Sequence, residues 1–190
     1  MKPTELNKSL GLINASFGTL VEALEYASTG DTGYNFYDGR GGLQVTLSYA
    51  ELKQDAILLA RKLLSLGLKR GARVGLVAET HPMFHRYFFA CQYAGLIPVA
   101  LPAGFQIGAR HAYVEQLERM LDSCGADVAI APDSHISFLR QAVERLDSIR
   151  CGTPCDFDSL PESEAELQPL NADDIAYLQY TSGSTRFPRG

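Results

Sequence analysis

Residues 73–101 read RVGLVAETHPMFHRYFFACQYAGLIPVAL. Residues 73–78 form a short, valine-rich apolar segment, as expected for a strand that is buried on both faces. Thr80 and Pro82 then begin a helix, because proline suits a first turn in which its missing N–H would have no partner. A second short apolar segment follows at residues 97–101. The stretch therefore predicts a strand, a crossover helix and a second strand parallel to the first.

The same alternation continues on both sides of this stretch. Ser48 with Glu51 three residues later forms a capping-box pattern, which predicts a helix that starts there and ends at Gly67. The other predicted strands are residues 34–37, 43–47, 126–131 and 175–180, and the other predicted helices are residues 112–123 and 134–149. Strands that alternate with amphipathic helices are typical of a sheet covered by crossover helices. We therefore predict a three-layer α/β fold with a mostly parallel sheet flanked by helices.

The bulk composition narrows the class of protein. A chain of 190 residues with 46% hydrophobic content can bury one core, so a single domain is expected. The net charge of −5 lacks the basic excess of a surface that follows phosphate backbones, so nucleic acid is not an expected partner. Residues 1–20 lack the apolar run of a secretory signal, and residues 87–101 are too short and interrupted to span a bilayer. We therefore expect a cytoplasmic protein with reduced cysteines.

One segment stands apart from the alternating pattern. Residues 156–174 contain seven carboxylates and two prolines but no lysine or arginine. Such a composition favours a solvated surface connection over a packed element. We predict an acidic connection between the last predicted helix and the strand at residues 175–180.

The segment that carries chemistry is TSGSTRFPRG at residues 181–190, directly after that strand. Four of its first five residues have a hydroxyl group, and the remaining one, Gly183, lets the backbone approach a ligand closely. Convergent N–H and hydroxyl groups suit phosphate oxygens, and Arg186 and Arg189 can add charge-assisted hydrogen bonds. Ligands of open α/β sheets bind beyond the carboxyl ends of strands. On composition alone an ordinary Ser/Thr/Gly turn competes with this phosphate-loop hypothesis, and the spacing of a Walker loop is absent.

Three motifs in order support the phosphate-loop hypothesis. The string YTSGSTRFPRG at residues 180–190 resembles the phosphate-binding signature of adenylate-forming enzymes, whose usual form is Y-T-S-G-S-T-G-x-P-K-G. LSYAEL at residues 47–52 resembles their first core motif, and YAGLIPV at residues 93–99 with Pro102 resembles the second. From about Thr19 onward, the chain is thus identified as a member of this superfamily. The resemblance implies that residues 1–190 form the N-terminal part of an AMP-binding domain, truncated after its phosphate loop.

Departures from the usual signature point to one branch of the superfamily. Arg186 stands where the common form has glycine, and Arg189 stands where it has lysine. Together with FFACQYAGL at residues 88–96 and YVEQL at residues 113–117, this variant resembles the fatty-acyl-AMP ligases. A peptide-synthetase adenylation domain, an acyl-CoA ligase or, in another class, a degenerate non-catalytic interaction module remain the alternatives.

The fatty-acyl-AMP ligase resemblance implies a two-step reaction. A fatty-acid carboxylate attacks the α-phosphate of ATP, with Mg²⁺ neutralising charge, and gives acyl-AMP and pyrophosphate. The acyl group then passes to the phosphopantetheine thiol of an acyl carrier protein. The residues implied to bind the ATP phosphates are Thr181, Ser182, Gly183, Ser184, Thr185, Arg186, Arg189 and Gly190.

No catalytic residue or metal ligand is predicted within residues 1–190. The resemblance places the adenine and ribose contacts, a metal-binding glutamate and a catalytic lysine beyond Gly190, so the fragment alone is expected to be inactive. His81 and His85 are four residues apart but lack the glutamate of an H-E-x-x-H site, so we interpret them as helix-end residues. His111 and His135 lack a nucleophilic triad partner and are predicted to lie on the surface.

Overall fold

The computed structural model describes residue 10 and residues 16–104, 110–146 and 148–180. The helices are α1 (Leu20–Ala27), α2 (Tyr49–Leu64), α3 (Pro82–Ala94), α4 (Arg110–Cys124), α5 (Ile136–Val143) and α6 (Pro154–Asp158). The strands are β1 (Gly33–Tyr37), β2 (Leu43–Ser48), β3 (Arg73–Val77), β4 (Ile97–Leu101), β5 (Ala126–Ile130), β6 (Arg150–Gly152) and β7 (Leu178–Gln179).

Five of the strands form one sheet in the order β6-β5-β3-β4-β7. Every neighbouring pair in this sheet is parallel. The first two strands form a separate antiparallel hairpin. The predicted strand–helix–strand unit at residues 73–101 is confirmed as β3, α3 and β4, with Arg73 opposite Ile97 in the ladder.

Helices cover both faces of the sheet, so the predicted three-layer α/β fold is confirmed. Helices α1, α2, α3 and α6 contribute to one hydrophobic cluster, and α4 and α5 contribute to a second. The neighbouring residues Leu76 and Val77 of β3 belong to different clusters, because successive side chains of a strand point to opposite faces. Gly75 leaves room for the second layer: a Cβ atom there would lie 2.8 Å from a methyl carbon of Leu121 in α4.

The capping box predicted at the start of α2 is present. The Ser48 hydroxyl accepts a hydrogen bond from the Glu51 N–H over 3.1 Å, and the Glu51 carboxylate accepts one from the Ser48 N–H over 2.9 Å. These two bonds satisfy N–H groups that a helix start leaves without an intrahelical partner. They also fix the point at which the hairpin passes into α2.

Two predicted elements are shorter in the structure than in the sequence pattern. The helix predicted at residues 134–149 is α5, which ends at Val143, and Ser148 then adopts a left-handed conformation with φ of 72°. This reversal lets residues 150–152 pair with β5 as a strand that was not predicted. The strand predicted at residues 175–180 makes ladder pairs with β4 only at Leu178 and Gln179.

The acidic segment, residues 156–174, begins inside helix α6. Farther along, it is held by the side chain of Arg70, which lies shortly before β3. The first three residues of the segment belong to α6, where Phe157 is buried. The Arg70 guanidinium donates to the carbonyl oxygens of Gln168 and Pro169 and pairs with Asp174. Most other side chains of the segment are exposed. Charge complementarity with Arg70 therefore gives this exposed connection a defined path.

Within the described ranges, no helix is long and apolar enough to cross a membrane. The four cysteines are free thiols. Cys91 is fully buried in the core, and burial raises the pKa of its thiol well above the usual range. A buried thiol of this kind packs as a small apolar side chain and is chemically inert.

Candidate functional site

The eight predicted phosphate-binding residues, within 181–190, all lie outside the described residues. The structure does describe the strand that precedes them. That strand is β7, which lies at the edge of the sheet and runs parallel to β4. Tyr180 follows it and is covalently joined to Thr181. The described residues around Tyr180 therefore define the environment from which the predicted phosphate loop departs.

A cavity of about 360 Å³ lies where β3, β4 and β7 end. We call it the sheet-end pocket; its walls include Ala78 after β3, Leu101 and Pro102 at the end of β4, and Gln179 and Tyr180 at the end of β7. Helix α4 contributes Gln116 and Met120. The carboxyl ends of parallel strands are the usual ligand-binding edge of an open α/β sheet. The structure thus places Tyr180, the last described residue before the predicted phosphate loop, in the wall of a cavity at that edge.

The described wall of the sheet-end pocket is neutral. Its polar side chains are the amides of Gln116 and Gln179 and the hydroxyl of Tyr180, and none of its described lining residues is charged. A polyphosphate placed here would need positive charge and N–H donors from elsewhere. Arg186 and Arg189 are the nearest basic residues along the chain from Tyr180.

The Tyr180 hydroxyl connects the end of β7 to helix α4. It donates a hydrogen bond of 2.7 Å to the carbonyl oxygen of Met120 and lies 2.5 Å from the Ser123 hydroxyl. A phenol has one proton, so the Ser123 hydroxyl is the donor in the second bond. Burial raises the pKa of Tyr180, which keeps the phenol protonated and able to donate near neutral pH.

The chain that leaves β4 is also held by side chains. Tyr113 donates a hydrogen bond of 2.6 Å to the Pro102 carbonyl oxygen, and the His135 Nε2 atom contacts the Ala103 carbonyl oxygen. A carbonyl only accepts, so the His135 Nε2 is the donor in this contact, and the His135 Nδ1 lies 2.8 Å from the Ser134 hydroxyl oxygen. His135 is 8% exposed. Its prediction as a surface residue was wrong, because the sequence does not reveal the carbonyl with which the ring pairs.

The other histidines have structural environments. His81 is the N-cap of α3, and its Nδ1 accepts a hydrogen bond from the Met83 N–H at 3.2 Å, as predicted for a helix-end residue. His85 lies inside α3 rather than at its end, with its ring centroid 4.3 Å from that of Tyr34. Burial lowers the pKa of His85. His111 is exposed, as predicted, and lies 3.2 Å from the Glu115 carboxylate.

A second cavity, of about 410 Å³, lies at the ends of β3, β5 and β6. The chain leaves β3 toward one face of the sheet and β5 toward the other, so this crevice is a topological switch point. Its lining includes Glu79, Asp133 and Asp158, and the arginine in its wall, Arg86, is paired with Asp55 at 2.7 Å. The polar lining residues Glu79, Asp133 and Ser134 lie two to four residues beyond the ends of β3 and β5.

The two cavities differ in the charge of their lining residues, and this difference affects whether an anion can bind. Three carboxylates in the crevice at the ends of β3 and β5 repel phosphate, whereas the sheet-end pocket is neutral and is lined by Tyr180, which precedes Arg186 and Arg189 in the sequence. No group of three or more His, Cys, Asp or Glu side chains that could hold a metal ion occurs in the part of the chain that the structure describes. The smaller, sheet-end pocket is therefore the better candidate for a nucleotide triphosphate.

The chain is similar to known acyl-CoA synthetases and fatty-acid ligases. A putative acyl-CoA synthetase of Caulobacter vibrioides is 42% identical over 177 residues, which cover 93% of this chain and 30% of that protein. The medium-chain-fatty-acid–[acyl-carrier-protein] ligase JamA of Moorena producens is 29% identical, over 92% of this chain and 30% of its own length. A solved structure from work on fatty acyl-adenylate ligases of E. coli and L. pneumophila matches with a TM-score of 0.88 and 45% identity, over 93% of this chain and 32% of that one.

A family model matches most of this chain. The chain itself, however, corresponds to only about a third of the length of each relative. It spans 30% to 32% of the length of the three proteins above. The family model of the AMP-binding enzymes matches residues 28–190, which include β3 to β7 and the segment after β7. This chain therefore belongs to the adenylate-forming, AMP-binding enzyme family.

Proposed function

We propose that this chain is the N-terminal part of an ATP-dependent fatty-acyl-AMP ligase. The observation that carries the proposal is that Tyr180, the residue directly before TSGSTRFPRG in the sequence, lines a neutral pocket at the carboxyl end of the sheet. The 45% identity to a solved structure from work on fatty acyl-adenylate ligases favours this branch of the family. JamA supplies the precedent of a fatty-acid ligase that acts with an acyl carrier protein.

In the proposed reaction a fatty-acid carboxylate oxygen forms a bond to the α-phosphorus of ATP, and the bond to the β-phosphate oxygen breaks. The products are acyl-AMP and pyrophosphate. Thr181, Ser182, Ser184 and Thr185 would donate hydrogen bonds to the departing β- and γ-phosphates, and Gly183 and Gly190 would allow close backbone approach. Arg186 and Arg189 would stabilise their charge.

Magnesium, when bound, would neutralise charge on the phosphates of ATP. The described residues offer no cluster of metal ligands, so we assign the ion to none of them. In the second step the thiol of the phosphopantetheine arm of an acyl carrier protein attacks the acyl carbon, and AMP leaves. The fatty acid and the carrier protein are thus the proposed partners.

The first step can be tested with the gene product expressed from its complete reading frame. We expect exchange of labelled pyrophosphate into ATP that depends on an added medium- or long-chain fatty acid. Absence of exchange with every fatty acid would rule out the ligase assignment and favour a non-catalytic interaction module. Exchange driven by amino acids alone would favour a peptide-synthetase adenylation domain.

An acyl-CoA ligase is the second candidate, because the Caulobacter vibrioides relative that shares 42% identity is a putative acyl-CoA synthetase. The two candidates share the adenylation step and differ in the acceptor thiol. Incubation with ATP, fatty acid and either coenzyme A or a phosphopantetheinylated carrier protein separates them. We expect an acyl-carrier product by mass spectrometry, and formation of acyl-CoA alone would decide for the second candidate.

A further inference from the structure

We propose that Tyr180 is a positioning residue, whose hydroxyl fixes the place at which residues 181–190 leave the sheet. The inference rests on the proposed function, because it assigns Tyr180 a role in ATP binding through the segment that follows it. Tyr180 does not itself act on the phosphates. It acts by holding the chain that carries the predicted phosphate ligands.

The backbone gives β7 little support of its own. Only Leu178 and Gln179 make ladder pairs with β4, and β7 lies at the edge of the described sheet. The side chain of Tyr180 is therefore a large part of what holds this end of the strand. Its ring packs, partly buried, against the hydrophobic cluster on the α4 and α5 face, and its hydroxyl reaches Met120 and Ser123.

Helix α4 is a rigid support for this attachment. Leu117 and Leu121, on either side of Met120 in the sequence, have no exposed surface, and Met120 is 2% exposed. Because a packed core resists small displacements, the Met120 carbonyl has a defined position. The Ser123 hydroxyl also lies 3.1 Å from that carbonyl, so Tyr180, Met120 and Ser123 form one polar cluster, in which the single Ser123 proton goes to the Tyr180 oxygen.

The consequence for binding follows from geometry. If the hydroxyl is removed, the ring keeps its apolar packing, but the end of β7 loses its two directional bonds to α4. Residue 181 is next in the chain, so its ligands to phosphate would be less well placed. Loss of hydrogen bonds worth about 1.4 kcal/mol corresponds to a tenfold change in an equilibrium constant.

The test is Tyr180→Phe in the gene product from the complete reading frame, with fatty-acid-dependent pyrophosphate exchange as the assay. We expect the KM for ATP to rise about five- to tenfold while the KM for the fatty acid is unchanged. General destabilisation would instead lower kcat and leave both KM values alone, because it only reduces the active fraction. Such a result, or an unchanged KM for ATP, would overturn the role of Tyr180.

Tyr93→Phe is the matched control. The Tyr93 hydroxyl also makes a side-chain hydrogen bond, of 2.7 Å to Glu25, but it lies near the end of α3, next to the start of β4. We expect the KM of the Tyr93→Phe variant for ATP to equal that of the unmodified enzyme. An equal rise of this KM in Tyr93→Phe and Tyr180→Phe would overturn the proposal. If Tyr180→Phe does not fold, Ser123→Ala decides, with an expected rise of about two- to threefold and no change as the refuting result.

The outcome for the unmodified enzyme separates the two claims. If it exchanges pyrophosphate but the Tyr180 and Ser123 variants behave like the Tyr93 control, the positioning role fails and the ligase function stands. If it shows no exchange with any fatty acid, the proposed function fails and the inference drawn from it fails too.

Discussion

At the scale of single residues, tyrosine hydroxyl groups connect distant parts of the chain at several points. Tyr87 donates to Asp158 at 2.7 Å, Tyr113 to the Pro102 carbonyl at 2.6 Å and Tyr180 to the Met120 carbonyl at 2.7 Å. Burial raises the pKa of each phenol, that of Tyr113 to about 12. The groups therefore remain protonated donors at neutral pH. Each bond links a helix to a segment outside it, at sequence separations of 71, 11 and 60 residues respectively.

Removal of the Tyr113 hydroxyl should measurably destabilise the fold. Tyr113 is 2% exposed, and Tyr113→Phe leaves the Pro102 carbonyl without this donor. We expect the free energy of unfolding to fall by about 1–2 kcal/mol, measured by urea denaturation of the 190-residue chain. Tyr37→Phe is the control, since Tyr37 is 57% exposed. Equal effects of the two substitutions would contradict a special role for the buried hydroxyl.

The hydroxyl groups of the predicted phosphate loop should affect catalysis without affecting stability. Thr181→Ala and Ser184→Ala in the complete gene product are expected to slow adenylation by about ten- to a hundredfold, because each removes a donor to a developing negative charge. We expect the melting temperature to stay within about 1 °C, because the proposed role of these hydroxyls is to bind phosphate, and substitutions without a packing role rarely change stability by more than about 0.5 kcal/mol. Unchanged exchange rates in both variants would argue against phosphate binding by this segment.

At the scale of elements, the sequence predicted those whose signals are local. Ser48 and Glu51 marked the start of α2, and the apolar segment at residues 97–101 coincides with β4. Elements that depend on distant partners were missed or misjudged. Strand β6 exists because residues 150–152 pair with β5, and the helix before it ends at Val143, ahead of a left-handed Ser148. Neither the pairing nor the turn has a distinctive local pattern.

The capping box offers a quantitative test of a local signal. Ser48→Ala removes the acceptor for the Glu51 N–H, so we expect a loss of about 1 kcal/mol in the free energy of unfolding. Glu51→Gln is the chemical control, because glutamine can still accept from the Ser48 N–H. Urea denaturation of the three proteins should therefore rank Ser48→Ala as clearly the least stable. A Glu51→Gln variant as unstable as Ser48→Ala would indicate that charge, rather than capping geometry, dominates.

At the scale of the whole molecule, the candidate site was predicted by motif and the cavities were not. The string at residues 180–190 and the motifs at residues 47–52 and 93–99 identified the family that the comparison supports. Cavities arise from the relative placement of strand ends, which depends on sheet order. The chain returns from β6 to the far edge of the sheet through the acidic segment, and no local pattern predicts this crossing. The contacts of Arg70 with that segment are likewise visible only in three dimensions.

The proposed active site requires groups that residues 1–190 do not supply. We therefore predict that the isolated 190-residue chain does not catalyse fatty-acid-dependent pyrophosphate exchange. Adenylation requires the carboxylate, the nucleotide and the metal ion to be held in line, and such positioning can account for about 7–11 kcal/mol of a barrier. The sheet-end pocket supplies a neutral wall, and the described residues supply no metal-ligand cluster. What remains is the phosphate loop, whose two arginines would bind triphosphate weakly and with strong dependence on salt.

The comparison to make is between the 190-residue chain and the product of the complete reading frame, assayed side by side with medium- and long-chain fatty acids. We expect exchange by the longer protein only. Calorimetry measures the affinity of the short chain for ATP. We expect this affinity to fall as the salt concentration is raised from 50 to about 500 mM, because the Debye length that screens exposed charges shrinks from about 14 Å to about 4 Å over that range. A double variant with Arg186→Ala and Arg189→Ala should lose the salt-dependent part of its affinity for ATP. Robust pyrophosphate exchange by the short chain alone would show that residues 1–190 already contain a complete site. That result would contradict the prediction that the short chain lacks groups needed for adenylation.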